Sequence, residues 1–390
     1  MRGYLRADGR KGIRNVVVIA YLVDCAHHVA REIVLANRHL DVQLIGFPGC
    51  YKSEFAEAIM TQVCTHPNVG AVLLVSLGCE WFDRSKLSQA VEGSGRPCGT
   101  ILIQESGGTG ASIEKGVAWV AEKRAFLAKI NPVPMRIEEL IVGGICGGSD
   151  WANGLTSNRA LGAAFDQLID AGATCMFDEM GELVGCEYFL AERAANPELG
   201  QDIIRRIRKA GRFYAACGQA SFAPGNAEGV LSTIEEKSLG SAAKSGSRPI
   251  QGIILPGERP RKPGLYMVDT IPDTDPKFGF PALSDNSEIV EFIASGAHLT
   301  IFSTGRGSVV GSAISPVIKV CSNSRTFSNL KDDMDVDASR ILNEGVAPEA
   351  IGEEIVELIC ATADGKRSRS EALGHQEFIL FYKNQKPMCG

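Results

Sequence analysis

Ala71-Val-Leu-Leu-Val-Ser-Leu-Gly-Cys-Glu80 is an uncharged apolar run that stops at a glycine, a thiol and a carboxylate. A strand buried on both faces needs such a run, without polar alternation and bounded by a turn residue. Comparable runs recur at 16–22, 42–46, 100–104, 139–145, 174–177, 265–269, 299–303 and 317–321. Helix-like stretches separate them, at 26–36, 53–64, 85–91, 110–129, 156–171, 187–211 (broken near Pro197), 337–342 and 348–363. Strands alternating with helices predict an α/β fold: two Rossmann-like parallel-sheet units with crossover helices. Asn131-Pro-Val-Pro-Met135 interrupts the alternation. The expected units are 1–132 and 138–390, the second containing a long irregular Gly/Ser/Pro-rich segment at about 217–264 and a surface loop at 272–287.

The bulk numbers narrow the function. The 390 residues carry a net charge of −6, and their basic residues are not clustered, which argues against a nucleic-acid partner. No apolar run is long enough to span a membrane. Twelve cysteines in a chain without a signal peptide read as reduced thiols, so a cytoplasmic location is expected. Cys64, Cys175, Cys321 and Cys360 fall inside apolar periodic stretches and read as core.

Three other cysteines end strand-like runs beside glycine: Cys50, Cys79 and Cys146. Ligands of parallel sheets bind at the carboxyl ends of strands. Thiols converging there suit iron, as Fe2+ or as an iron–sulfur cluster with one iron left open, and so point to a Lewis-acid enzyme. In Cys146-Gly-Gly-Ser-Asp150 the amides of Gly147 and Gly148 can cradle an anion, Ser149 can donate to it, and Asp150 can accept a proton or bind metal. The plain alternative is a capped tight turn. Glu80, beside Cys79, is a candidate base. Thr304-Gly305-Arg306-Gly307 sets an arginine between glycines at a strand end, suited to a substrate carboxylate. Its glycine spacing imitates a dinucleotide fingerprint, but Pro316 and an immediate next strand replace the required helix. The acidic run 332–337 lacks the glycine and terminal glutamate of a calcium loop and reads as a solvated helix start.

With these motifs go Gly3-Tyr-x-Arg-x-Asp-Gly-Arg-x-Gly-x-Arg-Asn15, Gln104 with Gly107-Gly-Thr109, Gly185-x-Glu187, Pro224-Gly-Asn226, Glu236-Lys-Ser-Leu-Gly240 and Asp333-Met-Asp335. In this order they resemble the altronate/galactarate dehydratase family over nearly the whole chain. The resemblance implies an iron-dependent hydro-lyase turning a sugar acid, or another 2-hydroxy acid, into a 2-keto-3-deoxy acid. Arg306 and the Gly147 and Gly148 amides would fix the carboxylate, and Glu80, Asp150 or a histidine of a partner would take the α-proton. Lys319 and Glu187 stand at family-like positions and join the catalytic candidates. Because the chain begins at the Gly-Tyr-x-Arg block, the resemblance also implies a large subunit, partnered by a small histidine-bearing subunit encoded separately, in an oligomer. Split relatives include a carbon–sulfur lyase releasing sulfite from sulfolactate. The chain departs from the family at Phe47-Pro-Gly-Cys-Tyr51, where His-x-Gly-Cys-Gly is usual, and at Glu179-Met-Gly-Glu182, where Glu-x-Pro-Glu is usual. The first departure motivates a third reading, a non-catalytic metal-binding subunit.

Overall fold

Val16–Tyr21 (β1), Val42–Gly46 (β2), Val69–Ser76 (β3) and Cys98–Leu102 (β4) form a parallel sheet in the order β2-β1-β3-β4. The computed structural model describes residues 1–37, 41–218, 224–273 and 283–383. All eight residues of β3 are buried, as the uncharged run requires. Helices Asp24–Asn37 (α1) and Gly108–Leu127 (α4) cover one face, while Glu54–Cys64 (α2) and Arg84–Gly93 (α3) cover the other. Helix α2 starts where Ser53 accepts the Ala56 N–H at 3.2 Å, satisfying an amide the helix leaves open.

The second sheet has seven parallel strands: Ile141–Cys146 (β5), Thr174–Phe177 (β6), Ile250–Ile254 (β7), Gly264–Val268 (β8), Leu299–Thr304 (β9), Val317–Cys321 (β10) and Val336–Asp337 (β11). Their order is β7-β8-β6-β5-β9-β10-β11. Helices Ser157–Asp170 (α5), Pro197–Ala216 (α6) and Pro348–Ala363 (α9) pack on one face. Helix Asp285–Ala294 (α8) packs on the other. Helix Ile234–Ala243 (α7) lies beside the 3-10 turn Met180–Leu183 that follows β6.

Three expectations differ from the structure. The segment 217–264 is not irregular throughout: beyond 219–223, which lie outside the described residues, it contributes α7 and the edge strand β7. Glycine and serine density hid them, since Ser238 and Ser241 serve as buried helix residues rather than loop. The expected loop 272–287 lies outside the described residues over 274–282 and ends in the first turn of α8. The acidic run also differs from a helix start, because Val336–Asp337 is β11 and Asp335 accepts the Lys319 amide at 2.8 Å.

The two units share one apolar layer, in which Phe55, Ile59 and Met60 of α2 meet the cluster containing Ile289, Val290 and Ile293 of α8. Polar groups tie the seam. Arg14 pairs with Glu371 at 2.7 Å and donates to the Thr362 carbonyl at 2.9 Å near the end of α9. Fully buried Asn68 accepts the Ile13 N–H at 2.9 Å and donates to the carbonyls of His298 at 3.0 Å and Ile314 at 3.1 Å. The end of the described chain returns over the first unit: Gln376 bonds the Leu44 N–H and the Val42 carbonyl, both at 3.4 Å, on the edge strand β2. Farther along, the Tyr382 hydroxyl meets both the N–H and the carbonyl of Tyr51 at 3.1 Å. Lys383 then enters the second unit to pair with buried Glu291 and to donate to the Thr270 carbonyl at 3.1 Å.

Among the described residues no helix is long and apolar enough to cross a membrane. Asn68→Ala should strand one buried N–H and leave two carbonyls short of a donor. Urea unfolding should show a loss of about 3 kcal/mol, against under about 1 kcal/mol for a surface substitution.

Candidate active site

Strand β5 ends at Cys146, and beside it β6 ends before Asp178 and Glu179. Glu179 adopts a left-handed conformation, φ 69°, which a non-glycine residue rarely holds. The Cys146 N–H donates to Glu179 Oε2 at 3.0 Å and the thiol to the same oxygen at 3.1 Å, which fixes that conformation. Glu182 Oε2, on the next turn, lies 3.7 Å from the sulfur. Cys146, Glu179 and Glu182 each offer a ligand atom within 4.8 Å of the others, a group able to hold a metal ion.

Two lysines face these acids from α7 and its end. Lys244, fully buried, pairs with Glu179 and reaches the Cys146 sulfur at 3.5 Å and Ser241 Oγ at 3.0 Å. Lys237 pairs with Glu182. Burial opposes the Lys237 ammonium, but Glu182 outweighs it and the pKa rises. Burial raises the Cys146 thiol, with Lys244 working against that rise. Behind them Asp178 is fully buried with neither carboxylate oxygen hydrogen-bonded, and burial, then Glu288, drives its pKa well up. Burial, then Glu182, raises Asp285 from the usual 3.8 to about 6. A cavity of about 280 Å3 opens on this group, walled by Cys146, Ser149, Lys237, Ser241, Trp151 and Leu239.

The Cys-Gly-Gly-Ser-Asp and Thr-Gly-Arg-Gly loops meet each other as a joint. Asp150 Oδ1 accepts from Ala152 N, Asn153 N and Ser322 Oγ at 3.1, 3.0 and 2.8 Å, and Oδ2 accepts from Asn323 at 2.7 Å. The Gly148 carbonyl accepts the Gly305 and Arg306 amides at 3.2 and 2.8 Å. The Gly147 amide is spent on the Ser303 carbonyl at 3.0 Å, and the Gly307 amide on Thr304 Oγ1 at 3.1 Å. Two glycines are needed for close approach: a Cβ at Gly147 would stand 2.0 Å from Asp285 Oδ2, and one at Gly305 2.2 Å from Asp150 Cγ. Arg306 is exposed and paired with Glu228 at 2.6 Å, and it also donates to the Gly225 carbonyl at 3.0 Å.

Other predicted residues sit apart from the group. Cys50 and Cys79 are exposed at the end of the first sheet and are not members of the Cys146 group. Neighbouring Glu80 accepts from Ser76 Oγ and from the Gly78 amide at 2.8 Å. Lys319 is buried and donates to the Val310 carbonyl at 2.9 Å, supporting the stretch after the arginine loop. Glu187 accepts the Gly185 amide at 3.1 Å. Sequence reasoning missed Lys244, Ser241, Asp178 and Asp285, and treated Glu179 and Glu182 only as a departure. One signal was available: Lys237, Ser241 and Lys244 follow i, i+4, i+7 spacing, which sets them on one face of a helix.

Paired acids and ammonium groups around a thiol lie at the carboxyl end of a parallel sheet, where α/β proteins bind their ligands, and such groups are able to move protons. The relatives specify the class: the protein is a lyase. It belongs to the D-galactarate/altronate dehydratase family, whose C-terminal region matches residues 137–386 and whose second domain matches residues 3–128. It is 31% identical to the (2R)-sulfolactate sulfo-lyase subunit beta of Chromohalobacter salexigens, over 97% of this chain and 96% of that protein. It is 28% identical to the altronate dehydratase of Escherichia coli, over 97% of this chain and 77% of that protein. It is 30% identical to the galactarate dehydratase (L-threo-forming) of Escherichia coli, over 97% of this chain and 76% of that protein.

The raised Asp285 carboxyl fixes the sign of a pH dependence. Its contribution to stability is full below pH 3.8 and is lost as pH rises through about 6. The unmodified protein should lose stability across pH 4–6, and Asp285→Asn should flatten that fall, read as urea midpoints at a series of pH values. Parallel curves would contradict the assignment.

Proposed function

We propose that the chain is the large catalytic subunit of an iron-dependent hydro-lyase that converts a sugar acid or another 2-hydroxy acid to a 2-keto-3-deoxy acid. The Cys146–Glu179–Glu182 group, which meets a neighbouring cavity through Cys146, carries this reading. One sulfur and two carboxylate oxygens suit a single divalent iron, with Lys237 and Lys244 otherwise offsetting the acids. A cluster held by Cys50, Cys79 and Cys146 has less support, because only the last belongs to the group. Bound there, Fe2+ would polarise the substrate's carboxylate and 2-hydroxyl oxygens and offset charge developing as the α-proton leaves.

The chain's own side chains do the rest. Ser149 and Lys237 line the cavity and bind the oxygens of the substrate. Lys244 holds Glu179 and the thiol in register. Asp150, Gly147, Gly148, Thr304, Gly305 and Gly307 form the rigid joint beneath the cavity, and Arg306 steadies the 225–228 turn through Gly225 and Glu228. Since Glu80 and Asp150 are engaged by structural donors, the α-proton goes to the histidine of a separately encoded small subunit. Support for that partner comes from the dehydratases, which extend beyond the match, and from the sulfo-lyase relative, which is named as a subunit. The C3–O bond then breaks, the Lys237 ammonium protonates the departing hydroxide, and the enol becomes the 2-keto acid.

A second reading, release of sulfite from a sulfolactate-like acid, rests on the end-to-end match to the sulfo-lyase subunit. Sulfite leaves as a stable anion without needing the proton from Lys237.

Anaerobic purification should give about one iron per chain without acid-labile sulfide, and Cys146→Ser and Glu179→Gln should lose it. Iron retained by both variants, or sulfide present in the unmodified protein, would sink the mononuclear site. With the small subunit added, Lys237→Met should keep its iron but lower kcat on a sugar acid by about a hundredfold or more. Turnover of sulfolactate with release of sulfite, retained in Lys237→Met, would establish the second reading.

A further inference from the structure

The elements that carry the site also reach a second place in the molecule. Strand β5 runs from Ile141 to Cys146, and α8 runs from Asp285 towards Gly296. Ile141 and Gly296 line a cavity of about 250 Å3 between the two units, with Gly9, Arg10, Lys11, Pro67, Glu139, Arg259 and His298. Three cations face it, Arg10, Lys11 and Arg259, while Arg6 and Arg96 stand close behind.

Local acids and helix ends do not balance these charges. Asp8 takes Arg10 at 2.6 Å, and Glu139 takes Lys11 at 2.8 Å. Arg10 and Arg96 also serve the end of α2, donating to the carbonyls of Thr65 at 2.7 Å and His66 at 3.0 Å. The C-terminal ends of α2 and α8 together amount to about one negative charge. Five cations against two acids and that partial charge leave an excess of about two positive charges, in a chain whose net charge is −6. The excess is felt: burial, then Arg10, lowers both Arg96 and Arg259. Both nearby histidines stay neutral. His298 accepts the Ile141 amide at 3.0 Å on Nδ1 and meets the Lys11 carbonyl at 2.9 Å with Nε2, and burial takes its pKa down to about 4. His66, edge-on to it, is buried with Nε2 lacking a hydrogen-bond partner. Arg259 spends one N–H on Gln62 at 2.9 Å and keeps the remainder of its guanidinium for the cavity.

We propose that this cavity binds a small oxyanion of two negative charges, a phosphate group or a dicarboxylate, between the guanidinium groups of Arg10 and Arg259 with Lys11 at its edge. Such an anion joins the N-terminal arm to the loop before β8. It therefore stabilises the closed seam, and β5 and α8 connect that seam to Cys146 and Asp285. The site is independent of the reaction proposed above, and its failure would leave that reaction untouched.

The test uses the full purified chain, with inorganic phosphate and succinate compared with sodium chloride at matched ionic strength. At least one of the two should raise the thermal midpoint by about 3 °C, saturating in the millimolar range, and the stronger one identifies the ligand chemistry. Arg259→Gln, a change on the loop before β8 that spares the Arg10 clamp, should weaken the effect at least tenfold in concentration, while Lys237→Met should retain it. No saturable shift beyond that of chloride would overturn the proposal. So would a shift kept in Arg259→Gln and lost in Lys237→Met, which would place the anion in the Cys146 cavity.

Discussion

A lysine ammonium with no exposure to water exists only where fixed opposite charge replaces its hydration, and Lys244 meets that condition through Glu179. The rest of the site follows from this pairing. Glu179 must turn its backbone into the left-handed region to present one oxygen to both the amide and the thiol of Cys146. Lys237 and Glu182 repeat the arrangement one step nearer the cavity. Asp285 crowds Gly147 so closely that no side chain fits there. Removing Glu179 or Lys244 leaves its partner's buried charge uncompensated, so that pair is retained or lost together.

The motifs most visible in the sequence turn out to be mechanical. Asp150 uses both carboxylate oxygens on donors from two loops, those after β5 and β10, and Gly148 and Gly305 bring two strand ends into backbone contact. This joint sets the spacing between β5, β9 and β10, while the charged side chains around Cys146 come from the turn after β6, from α7 and its end, and from α8. Short glycine-rich motifs are easy to see because backbone geometry dictates them, whereas a lysine on a helix resembles any solvated lysine until its surroundings are known.

Much of the architecture was legible because strand burial has a direct chemical signature. The uncharged runs at β2 and β6, and the apolar run of β10 with its single Lys319, became strands with the expected limits. Strand β7 was not legible: Gln251 and Gly252 break its apolar run, and it lies at the sheet edge, where only one neighbour constrains composition. At the site, Cys146 was recognised from its strand-end position, but its partners Glu179 and Lys244 stand 33 and 98 residues away, and no local pattern encodes those distances. Cys50 and Cys79 shared its sequence signature without its surroundings, because they end strands of the other sheet.

The returning tail has a consequence for how the chain is made. Gln376 and Tyr382 complete the edge and the Cys50 loop of the first unit, although they are more than three hundred residues downstream. A ribosome therefore releases the first sheet with its edge strand β2 still open, and that edge can pair with other chains until Gln376 has followed. Lys383 closes the process by entering the acidic layer of the second unit. Residues 376–383 thus touch both halves, so a chain cut before Gln376 would leave β2 open and would be lost to aggregation rather than merely weakened.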